Sequence, residues 1–85
     1  MNEAELAGLT AELPERFAGR VSDSSLRNLQ SYADAGEWDE LLDLLVAALK
    51  STGAHLSRKE LEELRRIFTE WRLPTDELAG LNVAD

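Results

Sequence analysis

Between Asn28 and Leu49 the chain carries five carboxylates, Asp34, Glu37, Asp39, Glu40 and Asp43, and no Lys or Arg. Carboxylates at close spacing can ligate a cation, but Asp34-Ala35-Gly36-Glu37-Trp38-Asp39 lacks the alternating oxygen ligands and the later Glu of a calcium loop. The Glu-x-x-His pairs of a helical di-iron site are also missing. His55, the single histidine, follows Gly53 in a connecting loop, with no acid or nucleophile close to it in sequence, and reads as a loop histidine. No catalytic, cofactor-binding or metal-ligating residue is therefore assigned, and the sequence points away from an enzyme. What the acids can do is attract a basic partner. The candidate partner-binding set is Asp34, Glu37, Asp39, Glu40 and Asp43 together with Leu44, an apolar residue among acids.

Asp23-Ser24-Ser25-Leu26 suggests a second chemistry. Acyl carrier proteins are also small, acidic and helical, and attach a phosphopantetheine arm to the Ser of an Asp-Ser-Leu motif. Here an extra Ser intervenes, and the motif follows the first helix too closely. A helix N-cap cluster explains the same residues.

Composition narrows the class. The chain has 85 residues, enough for one domain with a thin core and little room for a deep enclosed site. It has no cysteine, hence no disulfide framework and no thiolate metal site, which fits a reducing cytosol. The acidic start Met1-Asn2-Glu3-Ala4-Glu5 does not read as a signal peptide, and Leu44–Leu49 is too short to span a bilayer. A net charge of −8 opposes binding to nucleic acid or to an anionic membrane surface. The same charge favours a basic protein partner, although it also simply keeps a small protein in solution.

The elements that position these residues are read from periodicity and punctuation. Leu6, Leu9 and Leu13 predict a first helix over residues 2–12. Pro14 has no N–H to bond Thr10 and is expected to end it, with a short turn restarting over 14–18 and closing near Gly19. Ser22 caps a second helix over 22–35, with Val21 and Leu26 as its hydrophobic staple and Gly36 as its stop. A third helix spans 37–51, with Trp38, Leu41, Leu42, Leu45, Val46 and Leu49 on one face and Asp39, Glu40 and Asp43 on the other. Glu37, Asp39 and Glu40 suit its first turn electrostatically, which accounts for part of their presence; Asp34, Asp43 and Leu44 are less well explained that way. Ser57 and Glu60 form a capping box, with Leu56 and Leu61 as staple, at the start of a fourth helix over 57–72. On that helix Arg58–Glu62, Lys59–Glu63 and Arg66–Glu70 are spaced for i,i+4 pairing. Residues 57–73 carry a net +1, so the acid excess lies elsewhere. Residues 75–79 form a last turn, with Leu78 and Leu81 pinning the tail. No strand is expected. The predicted fold is an all-α, single-domain bundle of four main helices plus short terminal turns, spanning 1–85, with Leu41, Leu45, Leu49, Leu61, Leu64, Phe68 and Trp71 as core.

Leu13-Pro14-Glu15, then Ala35-Gly36-Glu37-Trp38 leading into Leu41-Leu42-Asp43-Leu44-Leu45, then Leu56-Ser57-Arg58-Lys59-Glu60-Leu61-Glu62-Glu63-Leu64, resembles the MafI-type immunity proteins of bacterial polymorphic toxin systems. The likeness covers about residues 13–79 and rests on helix-boundary signals and Leu spacing. It implies a small helical protein that binds and neutralises a cognate toxin in the cytoplasm, with no cofactor. The toxin would be an enzyme with a basic cleft, such as a nuclease, met by the acidic helix. The expected state is a monomer or weak homodimer. The alternatives are an acyl-carrier-like protein and a homodimeric regulatory or structural helical protein.

Overall fold

A computed structural model describes residues 1–84. It is an all-α bundle of four main helices: α1 (Glu3–Arg16), α2 (Asp23–Ala35), α3 (Trp38–Thr52) and α4 (Arg58–Glu70). Two 3₁₀ turns, Ala18–Arg20 and Asp76–Leu78, and two two-residue strands, β1 (His55–Leu56) and β2 (Asn82–Val83), complete it.

The expected caps are where their residue types require them. Ser22 Oγ accepts from Ser25 N at 3.1 Å and opens α2. Ser57 Oγ accepts from Glu60 N at 3.1 Å, and Glu60 Oε1 accepts from Ser57 N at 2.9 Å, so the capping box of α4 is complete. Gly36 and Gly53 end α2 and α3 in the left-handed region, at φ 70° and 66°, where a side chain would be strained. Arg72 occupies the same kind of position after α4, at φ 61°, so that turn carries a penalty glycine would avoid.

Three expectations are corrected. Helix α1 does not stop at residue 12 but runs through Pro14 to Arg16. The lost Pro14 hydrogen bond is offset because Leu13, Pro14 and Phe17 are all buried, and Phe17 N still donates to Leu13 O at 3.1 Å. The buried stripe of α1 is Leu6, Thr10, Leu13 and Phe17, whereas Leu9 is 39% exposed. Leu9 falls roughly 60° from Leu6 around the axis, on the opposite side from Thr10, at the rim of the stripe. The turn expected over 14–18 lies instead at Ala18–Arg20, with Gly19 inside it. Strands also exist: β1 pairs in parallel with β2, His55 opposite Asn82 and Leu56 opposite Val83. Two residues are too few to leave an alternating pattern in sequence.

Helix α3 is the centre of the core, with Leu41, Leu42, Leu45, Val46, Ala48 and Leu49 buried. Around it lie Leu13 and Phe17, Leu29 of α2, Leu56, Leu64, Ile67 and Phe68, and Leu78 from the tail. Two expected core residues, Leu61 and Trp71, are only half-buried against this cluster. They sit at the two ends of the α4 stripe, where fewer neighbours surround a side chain.

Candidate protein-binding face

The acidic residues sit on the α2–α3 turn and the outer side of α3. Asp34 is in the last turn of α2, Glu37 is the residue before α3, and Asp39 and Glu40 occupy the first turn of α3. All four are exposed, as is Asp43 one turn later. Glu37 makes no side-chain cap hydrogen bond, so its carboxylate is not used to close the helix. Helical geometry keeps Asp39, Glu40 and Asp43 within roughly 100° of arc.

The structure brings Asp43 to an acid from the other end of the chain. Glu77, in the 3₁₀ turn of the tail, lies beside Asp43, and the hydrogen bond that the two carboxyls form by sharing a proton pushes the Glu77 pKa up. A small loss of solvation and the Asp43 charge push the same way, while the Lys50 charge opposes them. Glu77 was not among the candidates. It lies 34 positions from Asp43, and its only mark in the sequence is being an acid near Leu78. Asp34, by contrast, lines a shallow cleft of about 350 Å³ between α1 and α2 with Glu15 and Gln30. Leu44 does not stand out from the acids as a free apolar knob: it is half-buried and packs against the core.

Helix α4 uses its charges differently. Glu60 receives both Arg20 guanidinium nitrogens at 2.8 Å while still closing the Ser57 box. Arg20 also lies over the Phe17 ring at 4.4 Å and donates to His55 O and Arg16 O. The Arg20 hydrogen bond is the main cause that holds the Glu60 carboxyl down, to about 2, and the Arg20 pKa is raised in return. Glu63 pairs with Arg16 at 2.7 Å and Glu70 approaches the N-terminal amine at 3.8 Å, so both reach toward α1 rather than serving the expected pairs along α4. The i,i+4 spacing hid these partners because they lie on another helix.

The cap of α2 is Ser22, just before Asp23-Ser24-Ser25: its Oγ accepts from Ser25 N and donates to Ser25 Oγ at 3.0 Å. His55 is exposed in β1. Among the described residues no group of three or more His, Cys, Asp or Glu is arranged to hold a metal ion. Among the described residues no helix is long and apolar enough to cross a membrane.

No protein-family model matches this chain, and no curated protein or solved structure matches it.

Proposed function

We propose that this chain is a small protein-binding module that docks a basic protein on the outer face of α3 and so neutralises it, as an immunity protein neutralises its toxin in the cytoplasm. The observation that carries this reading is the set of exposed carboxylates at Glu37, Asp39, Glu40 and Asp43, in a stretch that contributes no cation of its own. Unlike charges across an interface speed encounter and set orientation, and a carboxylate-rich helix can occupy a cleft built for an anionic substrate. Glu77 extends the same face through its contact with Asp43. Leu44 adds the exposed part of its side chain.

The test is to sequence the reading frames beside its gene, to co-express the protein with any that encodes a toxin-like chain, and to measure association and inhibition. A stable complex is expected, with an association rate that falls as salt rises. Asp39→Lys with Asp43→Lys should slow association and weaken inhibition without unfolding the protein, and Leu44→Ala should speed dissociation. Unchanged kinetics and full neutralisation by the double Lys variant would make the acidic face a solubility device only.

A further inference from the structure

At the start of α3 the acidic run meets a stacked pair of partly open tryptophans. Trp38 stacks on Trp71 from the end of α4, with ring centroids 6.1 Å apart and planes 22° from parallel. Trp71 is fixed from the core side: its Nε1 donates to Thr10 Oγ1 at 2.9 Å, and Thr10 is fully buried and donates onward to Leu6 O at 2.8 Å. Trp38 is held over the Gly36 turn, where a Cβ would come within 3.9 Å of Cζ2. Both indoles nevertheless remain half-buried, each with part of its surface facing solvent. Glu37 and Asp39 flank Trp38 in the chain, and both are exposed. Trp71 also lines a shallow pocket of about 290 Å³ with Glu3, Glu70, Arg72 and Met1, whose amine lies 3.8 Å from Glu70.

Tryptophans on rigid helix ends, partly open and ringed by polar groups, are the residue type that dominates affinity at protein interfaces. Leu44 presents a smaller side chain that is already committed to the core. We propose that the Trp38–Trp71 pair is the anchor of the α3 interface and receives an arginine side chain of the basic partner. The guanidinium stacks on open indole surface while Glu37 and Asp39 supply the counter-charge. Charge complementarity selects this occupant, because an acidic or purely apolar side chain gains nothing from the two carboxylates. Indole is the strongest aromatic acceptor for a cation, and the planar guanidinium stacks on it better than an ammonium does. The proposal rests on the basic-partner reading above and names the point at which it is decided.

The experiment titrates the full-length, nitrogen-15-labelled protein with nona-arginine and nona-lysine peptides at low ionic strength. Both indole N–H resonances and the backbone amides are followed. Saturable shifts of the Trp38 indole and the Glu37–Glu40 amides are expected, with the arginine peptide bound more tightly. Trp38→Leu should weaken arginine-peptide binding by about fivefold, whereas Glu12→Gln, at an exposed acid of α1 outside the proposed face, should weaken it by less than about twofold. Trp38→Phe keeps a ring in place, should weaken binding by a smaller factor, and decides the matter if circular dichroism finds the Leu variant unfolded. Shifts centred on Asp43 and Glu77 with both indoles unmoved would overturn the anchor and leave the basic-partner reading standing. Undiminished binding by a folded Trp38 variant would do the same. Absence of saturable binding by either peptide would remove both.

Discussion

Helices α3 and α4 treat their carboxylates in opposite ways. On α4, Glu60, Glu63 and Glu70 are drawn to Arg20, Arg16 and the N-terminal amine, each a partner from the first 20 residues of the chain. On α3, Asp39, Glu40 and Asp43 are exposed, and the close neighbour of Asp43 is another acid, Glu77, with Lys50 nearby. The acids of α4 are thus part of what holds α1 and the Ala18–Arg20 turn to the bundle. The acids of α3 do little for the fold beyond suiting the start of a helix. A charge that the fold does not use is the better candidate for use by a partner, which is why the functional proposal rests on α3 and not on α4.

The contrast breaks if α3 is not the structural centre that its apolar face implies. Leu45→Ala removes a fully buried side chain and should cost about 2–5 kcal/mol, read from the denaturant midpoint. An unchanged midpoint would take Leu45 out of the core and with it the assignment of the acidic face to solvent.

Next in size is the role of Glu60. Its carboxyl is held at about 2, below the ordinary value of 4.5, so its contribution is complete above pH 4.5 and is lost as pH falls toward 2. Glu60→Gln keeps a side chain able to close the capping box but removes the charge opposite Arg20. The variant should be less stable than the parent by about 1–3 kcal/mol at neutral pH, allowing for partial solvent screening. The difference should shrink between pH 4.5 and 2. A constant difference across that window would assign the loss to something other than the ion pair.

The capping box is tested by Ser57→Ala, expected to cost roughly 0.5–2 kcal/mol, beside Ser51→Ala, which removes no cap and should cost little. Equal effects of the two would dissociate the start of α4 from its cap.

The smallest expected effect sharpens the contrast most. Asp39→Lys with Asp43→Lys should leave stability within about 0.5 kcal/mol of the parent, because both sites are exposed and the tail group beside Asp43 is another acid, Glu77, rather than a cation. Chemical denaturation measures it. A large loss would show that α3 uses its acids structurally after all, and the comparison with α4 would collapse.

The ends of α2, α3 and α4 were legible in the sequence because each depends on groups within four or five residues: a Ser oxygen over a backbone N–H, a glycine able to take positive φ, an apolar stripe every three or four positions. The exposure of Asp39, Glu40 and Asp43 followed from the same periodicity. The end of α1 is not legible locally, because the cost of Pro14 is offset by the burial of Leu13, Pro14 and Phe17, which only the packed bundle provides. The packing of Leu44 is not legible in the sequence because a single-helix view cannot supply the neighbours that half-bury it.

By itself, then, the sequence determined the helical class, most helix boundaries, the apolar face of α3 and the acidic face opposite it, since these are set by propensity, capping and period along one chain segment. Only the tertiary structure decided that Arg20 grips Glu60, that Trp71 reaches Thr10 and stacks on Trp38, that Glu77 joins Asp43, and that β1 finds β2. Those contacts join residues 27 to 61 positions apart. Their existence depends on how the helices cross once their apolar faces are buried together, and no local pattern encodes that.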